Sequence, residues 1–309
     1  MVAPGLYVLA GPTAAGKTGV AHQLAAELNA RILSVDALHA YRGMNIGTAK
    51  PTPEELRAFE YAGVDFLDPW EINTAGAFRS QALAALRSEP GRIWIAAGGS
   101  GLYFHALLCG LPEDSCASHP EHRQHVQQVF DRDGLPGLQE WLRAAAPDRW
   151  AALADPRNPR RVMRALELAL SGAAAPASAP RAIPDMVALD RDAAELRERI
   201  RERAGKMFRE GLVEETRALM AVRPEWSVTA RRAIGYAEAA AVALGELEIH
   251  EAVTRTAART HAYARRQRTW LRTQCRTEWI PSGGGRTMAE IARDVREAWS
   301  RHGPFHFAS

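Results

Sequence analysis

Gly11-Pro12-Thr13-Ala14-Ala15-Gly16-Lys17-Thr18 satisfies every fixed position of the phosphate-loop pattern G-x-x-x-x-G-K-[ST]. In such a loop the glycines let the backbone curl until its N–H groups point inward at an anion. The start of the following helix adds the positive end of its dipole. Lys17 brings a point charge to the terminal phosphates, and Thr18 a hydroxyl for Mg²⁺. A Gly-rich turn that merely carries a lysine does not require the flanks found here. Leu6 to Ala10 is an apolar run of strand length, and Val20, Leu24 and Leu28 then recur every four residues, as on a helix lying against a sheet. The residues Gly11 to Thr18 are therefore read as the binding loop for a diphosphate or a triphosphate.

Three further groups carry chemistry. Asp36 follows the apolar run Ile32 to Val35, which places a carboxylate at the carboxyl end of a strand, where ligands of open α/β sheets sit. A carboxylate there can hold Mg²⁺, accept a proton from a hydroxyl or an amine, or simply cap the strand end. Gly98-Gly99-Ser100-Gly101 ends the strand Arg92 to Ala97. Its glycines allow close backbone approach to a ligand, and Ser100 offers a hydroxyl to a phosphate oxygen, although Gly-rich turns of this kind are common. Ile93 to Ala97 does not end in Asp, so the carboxylate usual in NTP-hydrolysing motors is missing there. Basic stretches form the third group. Seven arginines and no acid lie between Ala252 and Thr277, and four arginines without an acid lie from Arg157 to Arg164. Arg265, Arg268, Arg272 and Arg276 share one helical face, while Tyr263 and Trp270 fall on another and read as core. Such stretches either solvate helix faces or hold a polyanion, and beside a phosphate loop they fit an enzyme acting on structured RNA.

The elements that must position these groups alternate. Strands are expected at Leu6–Ala10, Ile32–Val35, Val64–Leu67, Arg92–Ala97, Met186–Leu189 and Thr277–Ile280. Helices are expected after the phosphate loop and at about 75–86, 102–108, 192–209, 213–221, 231–244, 251–275 and 288–300. This pattern predicts an α/β fold, a phosphate-loop core with a parallel sheet flanked by helices. The long segment Asp36 to Pro51 lacks periodicity and reads as a functional loop. Residues 113–181 carry no strand signal and read as an all-helical insertion domain. The core is then 1–112 with 182–309, and Ser171 to Pro184 is a mobile Ala/Pro connector. The composition is that of an ordinary globular chain, with 309 residues, 47% hydrophobic and 24% charged, and a net charge of +3. No apolar run is long enough to span a membrane, and no signal-peptide pattern opens the chain. Cys109, Cys116 and Cys275 lack metal spacing and read as reduced thiols of a cytoplasmic protein.

In order along nearly the whole chain, these segments resemble the tRNA dimethylallyltransferases. Gly11 to Thr18 is similar to that family's G-P-T-A-S-G-K-T, and Ser34-Val35-Asp36 with Tyr41 to Pro51 to its second motif. Asp68-Pro69-Trp70-Glu71 with Phe78, Gly98 to Tyr103, and Arg161 with Arg164-Ala165-Leu166-Glu167 resemble further motifs. Gly211 to Glu215, Arg232 to Tyr236 and Ala264 to Trp270 continue the likeness. Departures are Ala15 for a small hydroxyl residue, Ala37 and His39 for the usual Ser and Gln, Ser100 for Thr, and Ala237 for Arg.

The resemblance implies transfer of a dimethylallyl group from dimethylallyl diphosphate to the N6 amine of an adenine beside a tRNA anticodon, releasing diphosphate. It implies Asp36 as the base, with Lys17, Arg232, Ser100 and Mg²⁺ on Thr18 at the departing diphosphate. It also implies tRNA contacts by Asp36, Ala37, Leu38 and His39, by Arg160, Arg161 and Arg164 of the insertion, and by Arg265, Arg266 and Arg268. The partners implied are the anticodon stem-loop and the prenyl diphosphate, met by a monomer. A small-molecule kinase would share the loop, the sheet and a strand-end Asp. A non-catalytic RNA-binding protein is disfavoured by the intact Lys17-Thr18 pair.

Overall fold

The computed structural model of the chain describes residues 5–111, 119–153, 155–173 and 183–305. Cys116 and residues 174–182 of the Ala/Pro connector lie outside them. The chain divides into two compact units, Met1–Leu108 with Ala182–Ser309, and Cys109–Arg181.

The first unit is built on a five-stranded parallel sheet of β1 (Gly5–Ala10), β2 (Arg31–Val35), β3 (Ile93–Gly98), β4 (Met186–Asp190) and β5 (Thr277–Pro281), in the order β2-β3-β1-β4-β5. β1, the most apolar of them, is central and pairs with β3 from Gly5↔Ile93 to Leu9↔Ala97. Strands buried on both faces read as continuous apolar runs, which is why Leu6 to Ala10 was legible. On one face α1 (Lys17–Leu28) and α12 (Met288–His302) bury Val20, Ala21 and Leu24 against Ile291, Val295 and Trp299. The Trp299 indole also donates to the Val8 carbonyl at 2.9 Å. Losing this fully buried ring would cost about 3–5 kcal/mol.

α11 (Ile249–Gln274) packs against α8 (Ala193–Arg209), and α9 (Leu212–Val222) against α10 (Tyr236–Ala243). α10 begins five residues later than expected. A short 3₁₀ turn, Ala230–Arg232, comes first, and Gly235 at φ 99° separates it from the helix. The strand expected at Val64–Leu67 is also not formed. Gly63 (φ 79°) and Asp65 (φ 51°) break the extended backbone, and only the isolated bridges Leu33↔Ala62 and Tyr41↔Leu67 remain. The sequence reading missed α2 (Pro53–Ala58), whose signal was present. Thr52 and Glu55 form a capping box, and Pro53 sits in the first turn. α3 (Ala75–Ser88) and α4 (Gly101–Cys109) complete this unit.

The second unit holds α5 (Pro120–Ala145), α6 (Pro147–Ala151) and α7 (Pro159–Leu170). α5 is broken at Gly134, where φ is 66°. Val126, Leu138 and Leu142 pack on Val162, Ala165 and Leu166, so α7 turns Arg160 and Arg161 to solvent. No strand occurs among the described residues of this unit.

Candidate active site

Parallel strands all point their carboxyl ends the same way, and the chemistry-bearing residues gather there. The phosphate loop leaves β1, Asp36 leaves β2, Ser100 follows β3, and Ser282 follows β5. Gly11 holds φ 144°, and a side chain on it would meet the Leu189 carbonyl of β4 at 2.6 Å. The loop can therefore lie this close to the sheet only with glycine there. Ala14 also adopts a positive φ, 65°, which turns successive amides inward. Ala15 is fully buried among core residues and keeps its backbone contacts, because its carbonyl accepts from Ser282 Oγ at 2.8 Å. The missing hydroxyl at that position thus costs the loop no polar partner.

Lys17 begins α1 and bonds back to the Pro12 carbonyl at 2.7 Å. Burial, then the nearby charge of Arg203, push its amine down to about 7, against a smaller opposing pull from Asp36. An amine held so far below its ordinary range is a cation waiting for an anion. Arg203, on α8, donates to Thr13 Oγ1 at 3.3 Å, and Arg199 one turn earlier donates to the Ala14 carbonyl at 3.1 Å. Burial also lowers the Arg203 guanidinium, and Asp36 is the carboxylate that opposes the shift. The sequence reading gave neither arginine a role. Their four-residue spacing on one helix was the available signal.

Asp36 Oδ1 accepts the Leu38 amide at 2.9 Å, a local turn that fixes the carboxylate. Its charge bears on Lys17, Arg203, His39, Tyr103 and Tyr263, so strand end, loop, α4, α8 and α11 share one space. Arg232 is exposed on the 3₁₀ turn. Among the described residues the arginine whose charge bears on Lys17 is Arg203 rather than Arg232.

The Gly98–Gly101 turn packs differently from the ligand approach read from its glycines. A side chain on Gly99 would strike the Gln267 amide nitrogen at 2.1 Å and the Gly11 carbonyl at 2.8 Å, and one on Gly101 would strike the Trp270 ring. The glycines admit α11. Gln267 then reaches between both loops, and its Oε1 accepts the Thr13 amide at 2.8 Å. Ser100 opens α4, its carbonyl receiving the Tyr103 and Phe104 amides.

The segment Asp36 to Pro51 is irregular, as expected, and is held by polar pins. His39 pairs Nδ1 with Ser34 Oγ at 2.8 Å and Nε2 with the Thr48 carbonyl at 3.2 Å, and burial lowers its pKa. Its ring nitrogens are thus engaged within the fold, unlike the RNA contact read for it. The Ala37 carbonyl accepts from Asn73 at 2.8 Å, and Leu38 packs on the cluster around Tyr41 and Tyr236. The buried Lys50 amine donates to the Tyr41 carbonyl at 2.6 Å and to Asn45 Oδ1 at 3.0 Å.

The arginines differ in how free they are. Arg160, Arg161, Arg265 and Arg266 are exposed, whereas Arg164 pairs with Glu167 at 3.0 Å. Arg268 is half-buried and donates to Asp190 Oδ2 at 2.7 Å, which Arg272 approaches at 3.5 Å. The charge of Arg268 is therefore engaged at the end of β4 rather than presented on the exposed face read for it.

Thr18 is exposed in the first turn of α1. Its hydroxyl beside inward-facing amides fits Mg²⁺ shared with phosphate oxygens, since this cation takes few protein ligands. No group of three or more His, Cys, Asp or Glu residues able to hold a metal occurs among the described residues. No described helix is long and apolar enough to cross a membrane.

Comparison with known proteins places this arrangement. A family model described as IPP transferase matches residues 39–274, and one described as isopentenyl transferase matches residues 4–68. A protein of Anaeromyxobacter dehalogenans named tRNA dimethylallyltransferase is 42% identical over 284 residues, covering 89% of this chain and 94% of its own. One of the same name from Methylococcus capsulatus is 38% identical over 307 residues, covering 95% and 97%. The crystal structure of the full-length tRNA isopentenylpyrophosphate transferase of Bacillus halodurans superposes with a TM-score of 0.70 at 29% identity, covering 96% of each chain. A eukaryotic dimethylallyltransferase acting on tRNA shares the fold, with a TM-score of 0.78 at 18% identity over 98% of this chain and 81% of that one.

Proposed function

This chain belongs to the tRNA dimethylallyltransferase family, and on that premise we propose how its own residues carry out prenyl transfer. The enzyme transfers a dimethylallyl group from dimethylallyl diphosphate to tRNA. The acceptor is the N6 amine of an adenine beside the anticodon, and diphosphate leaves.

The exocyclic amine is a weak nucleophile, because its lone pair is delocalised into the ring. It must be held against the allylic carbon and relieved of a proton. Asp36 takes that proton. Its Oδ1 is fixed by the Leu38 amide, which leaves Oδ2 for the amine. As the carbon–nitrogen bond forms, the carbon–oxygen bond to the diphosphate breaks, and charge gathers on the departing oxygens. Lys17, Arg203 and the curled amides of Gly11 to Thr18 meet that charge, and Ser100 donates to the bridging oxygen. Arg232 joins them from its exposed turn. Mg²⁺ held by Thr18 and the diphosphate oxygens supplies a Lewis acid to the leaving group. No nucleotide is hydrolysed.

The single observation that carries this reading is that Asp36 shares its space with two buried cations, Lys17 and Arg203. A base and an anion site side by side suit a reaction that removes a proton from one substrate and a diphosphate from the other. The adenine must leave its stack to enter. Exposed Arg265 and Arg266 on α11 and Arg160 and Arg161 on α7 supply phosphate contacts to the anticodon stem-loop, and Arg164 lends its charge to that helix face. The enzyme acts as a monomer in the cytoplasm, where tRNA is found, and every residue given a role belongs to one chain.

The test is a transfer assay with labelled dimethylallyl diphosphate, Mg²⁺ and unmodified tRNA, beside a matched reaction with labelled ATP. Label enters RNA with the native enzyme and not with Asp36→Ala, while Asp36→Ala still binds the diphosphate. Transfer of γ-phosphate to a small acceptor, with no prenyl label in RNA, would replace this reading with a kinase.

A further inference from the structure

The roles above leave the purine ring itself unread. Asp36 accepts from the amine, but a carboxylate alone accepts equally from any amine of the right reach. A second contact must tell adenine from its rivals, and the inner face of α11 provides one.

Tyr263 and Gln267 lie one turn apart and therefore share a helix face. Gln267 is 6% exposed, and its amide is oriented by both ends. The carbonyl oxygen takes the Thr13 amide at 2.8 Å, and the NH₂ end lies against Gly99 and donates to the Tyr263 hydroxyl. A phenol has one proton to give and lone pairs to accept with. Since Tyr263 accepts from Gln267, its own O–H points elsewhere. Asp36 and Tyr103 stand nearest on that side, and the Arg266 guanidinium lies 5.8 Å from the centre of the ring. Tyr103 is held in turn by Phe78, edge to face at 4.8 Å. Burial raises the Tyr263 phenol, so it stays protonated and remains a donor at neutral pH.

Resting on the reading of prenyl transfer to an adenine amine, we propose that Tyr263 reads the acceptor base, donating its hydroxyl proton to the ring nitrogen, N1 or N7, beside the amine held by Asp36. An acceptor next to a donor is the complement of adenine, which presents N–H beside an unprotonated ring nitrogen. Guanine turns a carbonyl oxygen toward the carboxylate instead, and the two acceptors repel. Gln267 is the positioning residue. It fixes which way the hydroxyl faces and ties the base reader to the phosphate loop through Thr13.

The experiment uses anticodon stem-loop RNAs in which the target adenine is replaced by 1-deazaadenine or 7-deazaadenine. Each is assayed for kcat/KM with native enzyme and with Tyr263→Phe. The native enzyme loses about tenfold or more with one analogue and little with the other, the size of one base-edge hydrogen bond. Tyr263→Phe loses a similar factor on adenine and nothing further on that analogue. A purely structural tyrosine would lower all three substrates alike. Native enzyme indifferent to both analogues would overturn the proposal, and so would a variant that keeps the full penalty. If Tyr263→Phe does not fold, the analogue series on native enzyme still decides, because indifference at both ring nitrogens leaves no donor to assign. Native enzyme that prenylates no adenine stem-loop would instead overturn the underlying reading, and this proposal with it.

Discussion

The Tyr236 hydroxyl donates to Glu215 Oε1 at 2.6 Å, and the same carboxylate accepts the amides of Asn45 and Ile46 at 3.0–3.1 Å. Three segments distant in sequence thus meet on one side chain. Gly47 lets the Tyr236 ring lie against the loop, since a side chain there would come within 2.4 Å of it. The motifs at 41–51, 211–215 and 232–236 are read here as one structural knot that holds the loop following Asp36.

Glu215→Ala removes the acceptor of two backbone amides and of a tyrosine that is 1% exposed. Leaving such donors unpaired costs about 1–3 kcal/mol. Thermal and urea unfolding should show that loss, and Glu215→Gln should recover part of it. A change under about 0.5 kcal/mol would mean that the knot does not hold the loop.

Lys17 gives diphosphate binding a pH signature. Its amine lies near 7 in the free enzyme, against 10.5 for an ordinary lysine, so above 7 it is largely neutral. A bound diphosphate favours the charged form and raises the value again. Binding above pH 7 therefore takes up a proton, and affinity falls as pH rises through that window. Calorimetry at pH 8 in two buffers of different ionisation heat should show uptake approaching one proton in the native enzyme, and none with Lys17→Arg, which stays charged. Equal uptake in both proteins would remove Lys17 from the account.

Arg203→Ala should lower kcat/KM for dimethylallyl diphosphate by about 10²–10³-fold, in the range of losing one preorganised donor to a developing anion. Arg203→Lys keeps the charge without the fork and should fall between. Removing the Arg203 charge also lets the Lys17 amine rise, so the proton uptake just described should shrink. Steady-state kinetics beside Arg232→Ala ranks the two arginines, and a larger loss at Arg232 would reverse the assignment made from the geometry.

Arg265→Glu and Arg268→Glu should part company. Arg265 is exposed, and its loss should weaken tRNA binding and reduce the salt slope by about one, with unfolding unchanged. Arg268 neutralises Asp190, and a glutamate there sets two carboxylates together at the end of β4. Its main effect should be a lowered unfolding midpoint. Filter binding across a salt series with parallel melts separates the two, and matching behaviour would contradict the placement of Arg268.

What the sequence determined by itself is local. Eight consecutive residues carry the phosphate loop, with glycines where the backbone must turn, and the apolar run before it can only be a buried strand. Asp36 announces itself by following such a run. β1 to β5 and the long helices were legible because their periods are short. Val64–Leu67 misled because its apolar spacing hides the positive-φ residues Gly63 and Asp65.

Tertiary structure decided which distant side chains complete the site. Gln267 is 254 residues from the amide it holds, Ser282 is 267 from Ala15, and Arg203 is 190 from Thr13. An arginine on an amphipathic helix reads the same whether it meets solvent, an aspartate or a phosphate loop. Arg265, Arg268 and Arg203 take those three fates because α8 and α11 pack on each other and on the strand ends in one rotation only. That rotation is fixed by contacts such as Leu196 and Ile200 against Ala264, whose partners no local pattern names.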